Sequence, residues 1–159
     1  MTRQKGNVAK TKLIALLHAE DYSRARRLGA AALKPLQKIV ESGDWNLAAK
    51  GAYLAGLINE AQSVEIIEIA AKSRKPAVRA AAAAAAAHLS AARAEPILTR
   101  LLRSKDAGIR KTAIKAAGRA MTPKVRDQLS LMKKSETDRH LQVLVARSLE
   151  SKPDEPLIA

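Results

Sequence analysis

Lys111, Lys115 and Arg119 stand four residues apart, a spacing that on a helix gathers three cations into one stripe. Like charges so placed repel by a few tenths of a kcal/mol per pair, and an anion lying along the stripe relieves that repulsion. The chemistry offered is recognition of carboxylates or phosphates. A solvated helix face is the ordinary reading of any one charge run. Here, however, residues 97–139 carry twelve Lys and Arg against four acids, in a chain of net charge +14, and that favours an acidic partner. Covalent and metal chemistry find no such support. His18, His88 and His140 are widely separated, and none belongs to a His-Glu-x-x-His run. Cysteine is absent, which excludes disulfides, thiolate metal sites and cysteine nucleophiles. Gly51 and Gly56 have the spacing of a phosphate-binding loop, but Leu57 and Ile58 stand where Lys and Ser or Thr are required. No catalytic residue, metal or cofactor is therefore expected.

Helices must position these cations. The apolar residues are Ala, Leu, Ile and Val, with one Trp, two Tyr and no Phe, and in the long periodic segments they recur at helical spacing. The chain reads as all-α. Residues 76–89 hold Pro76 and eight consecutive alanines. Alanine favours a helix and keeps no neighbour away, so this helix belongs mid-structure with others pressed against both sides. Leu47, Val78 and Ile109 are spaced by 31 residues, as are Gly56, Ala87 and Gly118. A fourth copy starts at Asp138, 32 residues beyond Asp106. An amphipathic helix precedes each copy, its apolar stripe marked by Leu36, Ile67, Leu98 and Leu129. Asp44, Asp106 and Asp138 fall where the second helix of each pair begins and suit N-caps. Lys75 breaks that rule, and Pro76 compensates by presetting the first turn.

The recurring turn aspartate followed by Val-Arg-x-x-Ala-x-x-Ala-x-Gly resembles HEAT-like repeats of the short kind first described in phycobilisome lyases, over residues 12–150. The resemblance implies a right-handed α-solenoid of stacked helical hairpins. It also implies an inter-repeat ladder of the turn aspartate and the arginine four residues on, making Asp106, Arg110 and Arg79 ladder members; Ala48 and Gln142 replace the arginine in the first and last repeats. HEAT-like metal hydroxylases carry paired His-Glu dipeptides that this chain lacks. Chromophore-specific residues of the lyases have no counterpart to carry over. HEAT-like DNA glycosylases need a catalytic carboxylate, which the inner positions do not supply.

The expected layout is a disordered basic segment over 1–10, a half-repeat cap over about 11–32 with helices at 11–19 and 21–29, repeats over about 33–63, 64–95, 96–127 and 128–150, and an irregular tail over 151–159. On this frame Tyr53, Ala84, His88, Lys111, Lys115, Arg119 and Arg147 face the concave side, in a groove that begins apolar and becomes basic. Trp45 is expected against the turn of the next repeat. Leu141, Val143, Leu144, Val145 and Leu149 leave the last helix apolar on more than one face, to be covered by the tail or by a second copy in a homodimer. No segment has the apolar length of a membrane span, which suggests a cytoplasmic protein. The resulting expectation is a non-enzymatic scaffold whose concave face binds an acidic protein. The alternative is sequence-independent binding of a nucleic-acid phosphate backbone.

Overall fold

The computed structural model describes residues 2–151. α1 (Thr2–His18) and the short α2 (Tyr22–Arg26) lead through a 3-10 turn (Gly29–Ala32) into four helical hairpins. These are α3 (Leu33–Glu41) with α4 (Trp45–Ile58), α5 (Ala61–Ala71) with α6 (Pro76–Ala86), α7 (Ala91–Leu101) with α8 (Ala107–Ala117), and α9 (Pro123–Ser135) with α10 (Arg139–Glu150). The first helices α3, α5, α7 and α9 pack one on the next as one layer, and α4, α6, α8 and α10 as the other. α2 packs on α4 and so extends the second layer by one short member. Hairpins that touch chiefly their neighbours make an α-solenoid, the fold class the repeat implied.

The caps form as the residue types dictate. The Asp44 carboxylate accepts from the amides of Asn46 and Leu47 at 3.1 Å each, Asp106 from Ile109 at 3.1 Å, and Asp138 from His140 at 2.8 Å and Leu141 at 3.1 Å. Each bond satisfies an amide that has no partner within its helix. α6 starts at Pro76 with no side-chain cap from Lys75.

The alanine helix is as closely pressed as its composition requires. Ala82, Ala83, Ala85 and Ala86 are fully buried, and a Cβ added to Gly56 of α4 would lie 2.6 Å from the Ala85 carbonyl oxygen and 2.8 Å from its Cα. Only glycine fits there.

Several expectations are corrected. α1 begins at Thr2 rather than at residue 11, because Arg3, Gln4, Lys5, Ala9 and Lys10 are good helix formers that extend a helix anchored by buried Leu13, Leu16 and Leu17. The repeat boundaries expected after residues 63, 95 and 127 fall inside α5, α7 and α9. The first break lies at Asn59, left-handed at φ 55°, and Glu60, which forms a capping box with Ser63. Thr122, accepting from the Val125 amide at 3.2 Å ahead of Pro123, sets the last. Trp45 remains 49% exposed rather than packed away. In α10, Leu141 and Val145 are buried and Leu144 and Leu149 partly so, while Val143 is 50% exposed. The expected tail from 152 onward lies outside the described residues.

The ladder is also corrected. Asp106 caps its own helix, and Arg110 reaches Glu136 in the next repeat through two bonds, 2.8 Å from Nε and 2.9 Å from Nη2. Glu136 is 8% exposed. Arg110 also donates to the Ser104 carbonyl at 3.0 Å. Arg79 donates to the Ser73 carbonyl at 2.7 Å, and Gln142 to the Glu136 carbonyl at 2.6 Å. In the last three of the four hairpins one side chain bridges back six residues and closes the turn. Gln142 therefore makes the same bridge as the arginine it replaces.

Candidate functional site

The 31-residue interval extends one repeat further back, into α2. Tyr22, Tyr53, Ala84 and Lys115 are equivalent positions, with Arg147 one 32-residue step beyond. One turn along each second-layer helix, Arg26, Leu57, His88 and Arg119 form a parallel row. Tyr22 and Arg26 lie in the segment read as a mere cap, and the interval itself was the signal that could have found them.

The structure brings the first members of these rows together. The rings of Tyr22 and Tyr53 pack edge to face with centroids 5.2 Å apart and planes at 83°, and Tyr53 meets His88 at 5.6 Å and 74°. All three are half-buried. His88 lies just past α6, where burial holds its pKa below the ordinary histidine value and the nearby guanidiniums of Arg119 and Arg26 lower it further. The ring is thus kept as a neutral hydrogen-bonding group. The Tyr22 hydroxyl is pushed up, first by burial, then by the Glu20 carboxylate, with a smaller contribution from the neighbouring Tyr53 phenol.

Arg26 and Arg119 thus bracket the aromatic row from its two ends. A cleft of about 480 Å³ opens beside it, lined by Tyr22, Ser23, Arg26, Arg27 and Leu57. The groove expected to begin apolar and become basic is instead cationic at both ends. Beyond His88, Lys111 is half-buried, Lys115 and Arg119 are exposed on α8 and just past it, and Arg147 is exposed on α10. Ala84, half-buried between Tyr53 and Lys115 in its row, leaves that stretch low.

The described residues form four ion pairs: Arg24 with Asp21 at 3.8 Å, Lys50 with Glu20 at 3.0 Å, Arg110 with Glu136 at 2.8 Å and Lys124 with Glu95 at 3.2 Å. None includes Arg26, Arg27, Lys111, Lys115, Arg119 or Arg147. Placed near helix C-termini, Arg26, Arg119 and Arg147 complement the local backbone dipole, yet their charge has no carboxylate to meet within the described fold. Among those residues no three His, Asp or Glu converge as metal ligands, and no helix is long and apolar enough to cross a membrane.

These features define a class: an α-solenoid of short helical hairpins with a continuous side-chain face along its second layer. The family model for HEAT repeats matches residues 63–154. The chain belongs to the HEAT-repeat family. Among solved structures it is similar to the complex of CpcE and CpcF of phycocyanin lyase from Nostoc sp. PCC7120, with a TM-score of 0.75, 18% identity, and coverage of 89% of this chain and 98% of that one. That likeness is one of fold. No curated protein matches.

Proposed function

We propose that this chain is a non-enzymatic, cytoplasmic repeat module that binds an acidic segment of another protein along its second-layer face. Lys111, Lys115, Arg119 and Arg147 pair with the segment's carboxylates, and Ala84 lets its backbone approach. One observation carries the reading: Lys115 and Arg147 stand at equivalent positions on consecutive repeats, Lys111 and Arg119 lie one turn to either side of Lys115, and none of the four has an acidic partner among the described residues. Lys50, Arg110 and Lys124 are by contrast held in ion pairs with Glu20, Glu136 and Glu95.

The net charge of +14 supports a second reading, contact with a nucleic-acid phosphate backbone. Fluorescence anisotropy separates the two. A labelled glutamate-rich peptide and a duplex DNA of random sequence are titrated across a salt series, against the wild-type chain and the variant Lys111→Glu with Lys115→Glu. Peptide binding near physiological salt that the double variant abolishes supports the first reading. Preferential DNA binding with a slope of several released ions refutes it in favour of the second.

A further inference from the structure

The cleft at the N-terminal end of the face carries an inference that rests on the acidic-partner reading and goes beyond it. Its lining is of two kinds: Tyr22 and Leu57 offer apolar surface, and Arg26 and Arg27 offer two guanidiniums without a carboxylate partner among the described residues. Glu20 lies close enough to raise the Tyr22 hydroxyl pKa, yet it is already held by Lys50 at 3.0 Å. The cleft is thus left with positive charge and no internal counter-charge. It is shallow and largely open to solvent, and its space of about 480 Å³ has room for one bulky side chain lying against the lining. Its Tyr22 ring packs on Tyr53, and Tyr53 on His88, so the cleft adjoins the aromatic row whose next members along the second layer are Lys115 and Arg119.

We infer that this cleft is an anchor seat that takes a large apolar or aromatic side chain of the acidic partner segment, with Arg26 and Arg27 engaging carboxylates that flank that side chain. The ring geometry favours a protein side chain over nucleobases. Successive bases need parallel faces to stack upon, whereas Tyr22, Tyr53 and His88 alternate at 83° and 74° and present edges. The single Tyr22 ring beside Leu57 instead suits one phenyl or branched aliphatic group. The seat would also fix the register of the bound segment, since a uniform row of charges alone permits sliding.

The test uses three fluorescein-labelled probes measured by anisotropy against the full chain: a peptide of six glutamates around one central phenylalanine, the same peptide with alanine at the centre, and a single-stranded oligothymidylate of similar length. Three proteins are compared: wild type, Ser23→Trp, which fills the cleft from an exposed position without altering charge, and Lys111→Glu with Lys115→Glu. Circular dichroism first establishes that each is folded. Wild type is expected to bind the phenylalanine peptide about tenfold more tightly than the alanine peptide, the gain from burying one ring. Ser23→Trp should reduce that ratio to within about twofold while still binding both peptides, and the lysine reversal should weaken both while leaving the ratio. Equal wild-type affinity for the two peptides overturns the anchor seat and leaves the acidic reading standing. Failure of both peptides to bind overturns both readings. Tightest binding of the oligothymidylate, lost in Ser23→Trp, overturns the anchor seat in favour of a nucleic-acid cleft.

Discussion

Two glycines of α4, five residues apart, are expected to respond oppositely to the same substitution. Replacing glycine by alanine inside a helix gains about 1 kcal/mol of helix propensity wherever the new methyl has room. At Gly51 the added Cβ would meet Ile39 Cγ2 at 3.4 Å and Leu36 and Val40 methyls at 3.5 Å, which is ordinary contact with side chains able to give. Gly51→Ala should therefore stabilise by up to about 1 kcal/mol, raising Tm by about 2–4 °C for a domain of this length. At Gly56 the same atom would lie 2.6 Å from the Ala85 carbonyl oxygen and 2.8 Å from Ala85 Cα and Cβ. Those are mostly backbone atoms of a helix packed on both sides, so α4 and α6 must separate. Overpacking of this kind costs about 1–3 kcal/mol, and the upper end applies where backbone cannot yield. After subtracting the propensity gain, Gly56→Ala should lose about 2 kcal/mol, a Tm drop of about 4–8 °C. Urea unfolding at 25 °C, followed by circular dichroism, gives both differences directly. If Gly56→Ala is as stable as wild type, or if the two variants shift the same way, the close approach of α4 to α6 is not what governs the packing.

Glu136 is buried and bidentate to Arg110, whose hydrogen bond is the main reason its pKa sits below the ordinary carboxyl value, against opposing desolvation and with help from the Asp138 and Thr137 amides. The stability it confers is complete above its unfolded pKa of about 4.3 and is lost as pH falls through the lower folded value. Glu136→Gln should cost about 2–3 kcal/mol at neutral pH, since Arg110 keeps its carbonyl contacts, and should flatten the acid limb of Tm against pH; an unchanged limb would place acid sensitivity elsewhere. Ala84 is half-buried on the free face and Ala85 fully buried against Gly56, so Ala84→Asp should be nearly neutral and Ala85→Asp should cost several kcal/mol. Similar melting temperatures would mean the faces of α6 are misassigned. Burial keeps the His88 pKa low and Arg119 reinforces it, so Arg119→Gln should move the NMR titration midpoint of His88 upward while leaving it below the ordinary value. No movement would separate Arg119 from the aromatic row.

The fold was legible because a solenoid writes its period into the chain. The recurrence of Leu47, Val78 and Ile109, and the aspartates that cap α4, α8 and α10, required no knowledge of long-range contacts. The pairing of Tyr53 and His88 on one face followed from the same frame. The sequence is least legible in the first repeat, which is degenerate. α2 has only five residues, too short to show an apolar stripe, so Tyr22 and Arg26 were assigned to a wet cap although they obey the interval. Hairpin boundaries were misplaced because Asn59 ends α4 in a left-handed conformation that charge and hydropathy do not signal. The partner of Arg110 was missed because Glu136 occupies the place held by Ser104 and Ser73 in earlier repeats, and a single departure from a pattern announces no pairing.

The bridge from Arg79, Arg110 or Gln142 back to a carbonyl six residues earlier means that each of these hairpins ties its own bend without help from the adjoining unit. Such bricks tolerate being duplicated or removed, because the new seam asks only for complementary flanks. Every unit inserted between the ring-lined end and the lysine-bearing end would widen their separation by roughly the 8–10 Å between packed helix axes. The length of the polypeptide that spans both ends becomes a countable property of the array, adjustable in whole steps by evolution or by an engineer.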